Sequence, residues 1–263
     1  MPLLELVRVA PEILSSYNRA GKTGGPRGEL TPLASLGNAG KAAPWMAPGL
    51  QRLNSAVAAA GGDLRVTECH RDLGVQRTAR AKYDTWVAAG KPKPGTSAFN
   101  SKTMKAAFVA TPGRSGHNAG ISIDVHVGLL GFPGVAANKQ LDRLWEIARP
   151  LGWEPVIRAP EEGASESWHF DFWGDLLPAR GRVGYEQAAL CGAILVGHGD
   201  LSGYDAELQA LLVRAGFDIG KIDGAVGPKT RAAAVQALSL PSDDLIIRKD
   251  PGILQRLLLM PPR

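Results

Sequence analysis

The chain has 263 residues, of which 44% are hydrophobic, and a formal net charge of +5. This length is sufficient for two domains, and the hydrophobic fraction is sufficient to bury a core. No uninterrupted apolar run reaches the roughly 18 residues of a transmembrane helix, so we expect no membrane partner. The only cysteines are Cys69 and Cys191 and no CxxC pair is present, which indicates free thiols and excludes a structural thiolate zinc site.

Residues 1–46 are expected to form an N-terminal extension. A short helix is predicted from Pro11 to Tyr17, and the Gly- and Pro-rich residues 21–41 are predicted to be a loop. The alternative is a partly ordered arm that packs on the main domain. The apolar stretch at the N-terminus is interrupted by the charged residues Glu5, Arg8 and Glu12. This pattern is unlike a signal peptide, so we expect synthesis in a cytoplasm without a leader.

Residues 47–180 are predicted to form the first domain. A helix opens near Pro48 and stops at Gly61, a short strand covers residues 64–67, and a second helix runs over residues 75–89. One side of this second helix is predicted to carry Val75, Ala79, Lys82 and Trp86. Residues 101–109 fit either a short helix or a strand.

The next segment alternates apolar and polar residues from Ile121 to Val127, which predicts a half-buried strand. Asp124 and His126 share its polar face. A helix over residues 141–151 and a strand over residues 167–172 complete the domain. Short strands and helices in this order predict an α+β fold with a small, mainly antiparallel sheet.

Residues 185–263 are predicted to form a second, small domain of three helices. Two of these helices cover residues 207–215 and 229–238. The third begins at Asp250-Pro251, where a capping aspartate precedes a proline of the first helical turn.

Two histidines and two carboxylates in the first domain predict a metal site. His117 and Asp124 are separated by a turn, and His169 lies in a later strand. Two imidazoles and one carboxylate suit zinc and leave a fourth position open. Glu166 precedes His169 by three residues, so the two side chains converge only if the chain bends between them. With that bend, Glu166 lies beside the ion and can act as a general base.

These residues form the pattern S-x-H-x-x-G-x-[AS]-x-D followed by E-x-W-H, which resembles the zinc D-Ala-D-Ala peptidase family. The resemblance covers residues 48–173 and implies a fold shared with hedgehog domains. It implies that His117, Asp124 and His169 bind one Zn²⁺ ion and that Glu166 is the catalytic base. Its other matching residues are Ser115, Gly120, Ser122 and Trp168.

The same family carries an arginine after an early strand, with a glutamine a few residues later. Arg71 and Gln76 occupy these places, although Cys69 and His70 replace the usual glycine and tyrosine. The resemblance implies that Arg71 is a catalytic residue whose guanidinium engages a substrate carboxylate or the tetrahedral intermediate. A surface salt bridge is the alternative role for Arg71.

Further candidate substrate contacts are Gln76, Ser115, His126 and Trp168. For Trp168 the alternative is a core position. For His126, which follows Asp124 on the same strand face, the alternative is a hydrogen-bonded histidine behind the site. These residues are expected to line the cleft around the metal.

A second resemblance lies in residues 185–263. The pattern D-G-x-x-G-P-x-T, from Asp223 to Thr230, resembles the peptidoglycan-binding domain of wall hydrolases. The A-V-x-x-F-Q end of that family is incomplete, since Ala234-Val235-Gln236 lacks the phenylalanine. A wall-binding module and a peptidase in one chain raise the local concentration of substrate. The alternative is a degenerate packing module.

Together the two resemblances predict a monomeric zinc metallopeptidase that hydrolyses peptide bonds of bacterial peptidoglycan, as a D,D-carboxypeptidase or an endopeptidase. The expected absence of a leader favours a phage or prophage endolysin that reaches the cell wall through a holin pore. The main alternative is a non-catalytic wall-binding or virion structural protein that retains a zinc site. Nucleic-acid binding rests on basic charge alone, because no nucleic-acid motif is present, so no nucleic-acid partner is expected.

Overall fold

The computed structural model describes residues 2–9, 15–17, 30–32, 40–106, 108–156 and 166–263. It confirms the predicted α+β class, with strands and helices mixed before residue 177 and helices after it. The elements are β1 (Val7–Arg8), β2 (Ser15–Tyr17), β3 (Leu30–Pro32), β4 (Lys41–Ala42), α1 (Met46–Ala59), β5 (Val66–Glu68), α2 (Leu73–Ala88), α3 (Gly116–Ala119), β6 (Ser122–Val125), α4 (Gln140–Ala148), β7 (Trp153–Pro155), β8 (His169–Phe172), α5 (Leu177–Leu195), α6 (Tyr204–Arg214), α7 (Pro228–Leu238), α8 (Asp244–Ile247) and α9 (Pro251–Leu258).

The central sheet consists of four antiparallel strands in the order β5, β6, β8, β7. Strands β6 and β8 pair Ser122 with Asp171, Ile123 with Phe170, and Asp124 with His169. Because side chains alternate along a strand, the first and third pairs project from one face and the middle pair from the other. Ile123 and Phe170 are fully buried in the core. The opposite face of the same two strands therefore carries the polar residues.

Helices α1 and α4 pack together over the apolar side of the sheet. Helix α1 has Pro48 in its first turn, and the chain leaves it at Gly61 with a φ of 78°, as the sequence predicts. It buries Leu50, Leu53 and Val57. Helix α4 buries Leu144, Trp145 and Ala148 but ends at Ala148, before the predicted end at residue 151, and a 3₁₀ turn covers residues 149–151. The buried residues of both helices recur at helical spacing, as expected for helices that pack one face on a core.

The N-terminal region differs from the predicted helix and loop. Ser15–Tyr17 is a strand, β2, that pairs with Leu30–Pro32, so the prediction of a helix is wrong at residues 15–17 and that of a loop is wrong at residues 30–32. The remainder of the predicted helix, residues 11–14, lies outside the described residues. Strand β1 pairs with β4, and the amide of Leu4 donates to the carbonyl of Leu195. These contacts agree with the alternative of an arm that packs on the main domain.

Of the four residues predicted to share one side of helix α2, Val75 is exposed, whereas Ala79, Lys82 and Trp86 are partly buried. Val75 is 55% exposed, and the buried residue of the helix is Gln76. Gln76 donates to the carbonyl of Ala110, and Arg80 donates to that of Val109. The helix is therefore oriented by polar side chains that satisfy the backbone of a neighbouring segment. The described part of residues 101–109 contains turns and no helix or strand.

Helix α5 is a long helix that the sequence did not predict. It contains a non-helical glycine, Gly184, and the predicted boundary between residues 180 and 185 falls inside it. Its second half packs against α3 and α6. The buried apolar residues form one cluster that extends from α1 through α5 to α9. No helix in the described ranges is long and apolar enough to cross a membrane.

The three helices predicted after residue 185 are present as α6, α7 and α9, and the short α8 accompanies them. The loop before α7 is held by the buried side chain of Gln209. Its amide nitrogen donates to Asp223 Oδ1, and its amide oxygen accepts from the backbone of Asp223 and Gly224. Gly224 has a φ of 78° and Pro228 begins α7, so the Asp-Gly pair forms a turn and the Gly-Pro pair starts the helix.

The contact between α5 and α3 predicts a difference between two glycine substitutions on the same helix. A Cβ at Gly192 would lie 2.8 Å from Cβ of Ala119 and 2.7 Å from Cδ1 of Leu176, whereas a Cβ at Gly181 would contact nothing within 4 Å. We expect Gly192→Ala to lower the free energy of unfolding by about 1–3 kcal/mol through overpacking. Gly181→Ala should raise it by up to about 1 kcal/mol, because alanine has the higher helix propensity. Urea unfolding of both variants measures this, and equal stabilities would contradict the close packing of α5 on α3.

Candidate active site

The short helix α3 positions His117 next to the sheet. Ser115 caps it, since its hydroxyl accepts from the backbone amide of His117 at 3.3 Å. Gly120 ends it in the left-handed conformation, with a φ of 67°, and the chain then enters β6. Gly116 lies so close to the sheet that a Cβ there would be 2.0 Å from Oγ of Ser122. The S-x-H-x-x-G-x-S-x-D spacing is therefore the length of a one-turn helix followed by a strand.

His117, Asp124 and His169 converge at one point. Oδ1 of Asp124 lies 3.3 Å from Nε2 of His117 and 3.0 Å from Nδ1 of His169. The two imidazole rings are edge to face, with centroids 4.7 Å apart. One ligand atom from each residue lies within 4.8 Å of the others. Ligand atoms at zinc bond lengths of about 2.0–2.1 Å in a tetrahedron are separated by roughly 3.3 Å, so these three residues fit a zinc ion.

The hydrogen bonds behind the two histidines determine which ring nitrogen faces this point. Nδ1 of His117 donates to the carbonyl of Cys69 at 2.7 Å, so Nε2 is the atom that faces Asp124. Nε2 of His169 lies 3.1 Å from Oδ1 of the buried Asp171, so Nδ1 faces Asp124. Asp171 also accepts from Ser122. A carboxylate or carbonyl behind each imidazole orients the ring as metal-ligating histidines require.

The charges of this group shift three pKa values. Burial alone would lower the pKa of His169, but Asp171 and Asp124 raise it to about 10. Burial alone would raise the pKa of Asp124 and of Asp171. His117 and His169 nevertheless lower the pKa of Asp124 well below its usual value, and His169 lowers that of Asp171. Without a metal, His169 is therefore a cation between two carboxylates, and a metal ion must displace its proton in order to bind.

Glu166 is brought beside His169 by the bend that the sequence required. Its backbone has a φ of 69°, which is uncommon for a residue other than glycine. The carbonyl of Glu166 accepts from the amide of His169 at 3.0 Å, and its carboxylate lies 4.0 Å from Nδ1 of that residue. The turn therefore offsets the strand alternation and directs both side chains into the same cleft. Backbone strain of this kind, about 1–3 kcal/mol, is concentrated at functional sites.

Arg71 is held from two sides before any substrate binds. Its Nε donates to Glu68 at 2.9 Å, its Nη2 donates to the same carboxylate, and its Nη1 donates to Oε1 of Gln76 at 2.9 Å. Nη2 also lies 3.9 Å from Oδ2 of Asp124. Burial would raise the pKa of Glu68, but the hydrogen bonds from Arg71 and the nearby His117 lower it. The guanidinium is thus fixed beside the three converging residues by a partly buried network of hydrogen bonds instead of a single surface salt bridge.

A cleft of about 410 Å³ opens around these residues. Its walls are formed by Arg71, Gln76, Lys105, Phe108, Val109, Ala110, Ser115, His117, Asp124, Val156, Glu166, Trp168, His169 and Tyr185. The structure therefore brings together eight of the nine predicted site residues. His126 is the exception: it does not line the cleft, and its backbone amide donates to the carbonyl of Arg65.

Six residues that line the cleft were not predicted from the sequence: Lys105, Phe108, Val109, Ala110, Val156 and Tyr185. Two residues behind the cleft, Glu68 and Asp171, were not predicted either. Asp171 follows His169 by two residues, and strand alternation could have placed it on the same face. Glu68 precedes Arg71 by three residues, which is compatible with an ion pair but not diagnostic of one. Tyr185 comes from the second half of α5, where its hydroxyl is hydrogen-bonded to Asp171, and burial raises its pKa well above the usual value. No local pattern indicates that a residue beyond the sheet returns to the cleft.

Comparison with known proteins agrees with this geometry. Residues 41–175 match the family VanY, described as D-alanyl-D-alanine carboxypeptidase, and this match covers just over half of the chain. No curated protein and no solved structure gives a significant match. The matched range contains all of the residues that converge in the cleft except Tyr185. The chain therefore belongs to the VanY family, and it is a D-alanyl-D-alanine carboxypeptidase-like peptidase that acts on peptidoglycan.

Proposed function

We propose that this protein is a zinc-dependent peptidase that hydrolyses stem or cross-bridge peptides of peptidoglycan, as a D,D-carboxypeptidase or an endopeptidase. The observation that carries the proposal is the convergence of His117, Asp124 and His169 at the base of a cleft, with Glu166 beside them. His117 would hold the ion through Nε2, His169 through Nδ1 and Asp124 through a carboxylate oxygen. A zinc ion there supplies a Lewis acid that lowers the pKa of water and polarises a carbonyl.

Glu166 is the general base of this proposal. Its carboxylate lies close to His169 without belonging to the group of three ligands, and its side chain is 29% exposed. It can therefore take a proton from an attacking water at a carboxylate oxygen and transfer that proton to the leaving amine. The left-handed turn at Glu166 holds the carboxylate in this place. A glutamine would retain the shape of the side chain and lose the base.

Arg71 binds the anionic part of the substrate or the developing oxyanion. Glu68 and Gln76 engage three of its five N–H donors, and the remaining edge is available for a bidentate contact. Because the guanidinium is already fixed, substrate binding does not have to order it. Trp168, Phe108 and Val156 add apolar surface to the cleft, which suits the methyl groups of alanine residues.

Residues 185–263 contribute binding to the wall. The support is the D-G-x-x-G-P-x-T pattern, whose loop is held in one conformation by Gln209. A second contact with the same polymer keeps the peptidase near its substrate.

We further propose that the protein acts as a monomeric phage or prophage endolysin that reaches the wall after release by a holin. The support for action at the wall is the match of residues 41–175 to the VanY family.

Replacing the base should abolish hydrolysis without removing the metal. We expect Glu166→Gln to lower the rate of peptidoglycan hydrolysis by about 10²- to 10⁴-fold, which is the usual contribution of a general base. The rate is measured from the new amino termini that are released from purified wall, and bound zinc is measured by elemental mass spectrometry. Glu146→Gln, a change at an exposed residue paired with Arg143, is the matched control and should retain full activity. A Glu166→Gln protein that remains active would exclude this residue as the base.

Arginine and lysine should not be equivalent at position 71. Arg71→Lys keeps the charge but loses the planar fork that contacts Glu68 and Gln76. We expect kcat/KM to decrease roughly 10- to 100-fold, equivalent to about 1.5–3 kcal/mol for charged hydrogen bonds, while zinc content is unchanged. The exposed Arg77→Lys, on the same helix as Gln76, should leave kcat/KM unchanged. Equal kcat/KM for the two variants would show that position 71 needs only positive charge.

The charge on His169 predicts a pH dependence of the metal-free protein. Its pKa is about 10 in the folded state and about 6.5 in an unfolded chain, so its contribution to stability is complete below pH 6.5 and disappears as the pH rises through 10. We expect Asp171→Asn to reduce this loss, because it removes the largest charge that raises the pKa. Urea unfolding in a chelator between pH 6.5 and 10 compares the two slopes. Identical slopes would contradict the ion pair between His169 and Asp171.

A further inference from the structure

A second group of metal-binding side chains lies outside the cleft. His70, Asp72 and His198 each offer one ligand atom within 4.8 Å of the others, and they form the other such group among the described residues besides that of His117. Nδ1 of His198 lies 3.7 Å from Oδ1 of Asp72, and the rings of His70 and His198 are edge to face with centroids 4.2 Å apart. None of the three lines the cleft.

The group joins parts of the chain that are distant in sequence. His70 and Asp72 lie in the connection from β5 to α2, on either side of Arg71. His198 follows α5, where its amide donates to the carbonyl of Ala193 and closes the end of the helix. Arg71 projects into the cleft, whereas its two neighbours point away from it, as expected for consecutive residues of an extended segment. The group therefore connects the back of the active-site wall with the end of α5.

His70 supplies an independent reason to look for a ligand. Its side chain is 1% exposed, and neither ring nitrogen has a hydrogen-bond partner among the described residues. Leaving a buried polar atom unsatisfied destabilises the folded state, so such atoms in native proteins have a specific explanation. The T-shaped contact with His198 packs the ring but satisfies neither nitrogen. A metal ion between the three side chains would satisfy one of them directly.

The chemistry of the three side chains indicates which metals they could bind. Two imidazoles and one carboxylate suit zinc and similar divalent transition metals, whereas calcium and magnesium prefer oxygen ligands.

We propose that His70, Asp72 and His198 bind a second divalent transition-metal ion with a structural role, separate from the ion proposed for the cleft. Asp72 and His198 are partly exposed, so the ion can enter from solvent and retain water as a further ligand. Binding ties the end of α5 to the segment that carries Arg71. It thereby stabilises the fold and restrains the backbone of Arg71, whose carbonyl already accepts from Asn118.

The experiment counts zinc ions in variants of the full-length protein. Wild-type protein, His198→Ala, His117→Ala and the double variant are dialysed against zinc and then against metal-free buffer, and metal is measured by mass spectrometry. We expect about two ions per chain in the wild type, about one in each single variant and none in the double variant. His126→Ala, which changes a histidine outside both groups, should retain the wild-type number. His198 lies after a helix and is partly exposed, so its replacement should not prevent folding, and circular dichroism checks this.

Thermal unfolding separates this proposal from the one for the cleft. In the His117→Ala protein, zinc at about 100 times its Kd should raise Tm by roughly 5–10 °C, and the His117→Ala/His198→Ala protein should show no rise. If the cleft bound no metal, the wild type would still hold the ion that His198→Ala loses. Equal zinc content in wild type and His198→Ala would overturn the second site. The same conclusion would follow if His117→Ala bound no zinc and had an unchanged Tm, and buried water would then explain His70.

Discussion

The contact between Asp124 and His169 across two neighbouring strands holds the site together. It is a cross-strand pair of β6 and β8 with 3.0 Å between Oδ1 and Nδ1, and the next polar pair on that face is Ser122 with Asp171. The alternation that directs these four side chains to one face directs Ile123 and Phe170 into the core. A shift of register by one residue would therefore expose the core and bury the charges, so the packing of the apolar face selects the register of the site.

A buried imidazole between two carboxylates is stable only if each charge has a partner. Asp171 satisfies this requirement by accepting from His169, Ser122 and Tyr185 together. The charge of Arg71 also has a partner, because Glu68 compensates it, and Gln76 fixes the orientation of the guanidinium. The residues behind the cleft thus form their hydrogen bonds with the side chains that face the cleft. These hydrogen bonds hold the groups proposed to act on the substrate in place although the cleft is open to solvent.

The sequence predicted eight residues that the fold brings to the cleft, but it did not predict the residues behind the cleft that hold them in place. The spacing from Ser115 to Asp124 matches a one-turn helix and a strand, so local rules place His117 and Asp124 near each other. The proximity of Glu166 to His169 depends on a left-handed residue that no local propensity favours. Helix α5 was not predicted because proline and glycine usually interrupt helices, and the segment contains Pro178, Gly181, Gly184 and Gly192. In the structure Gly192 has a packing role instead, since Ala119 approaches it too closely for a side chain. The way α2 is oriented was not predicted, because Gln76 and Arg80 orient it through hydrogen bonds instead of apolar contacts.

The attachment of the last helices bears on how a wall-binding module would operate. A module on a flexible linker samples many positions, and its effect on the enzyme is an average over them. Here α5 contributes Tyr185 to the cleft, packs against α3 and α6, and continues the buried core to α9. Arg214 of α6 reinforces the connection, since it donates to Asp175 and to the carbonyls of Leu258 and Met260. A polymer bound by these helices would therefore meet the cleft in one fixed geometry, and its orientation would select which peptide reaches Arg71.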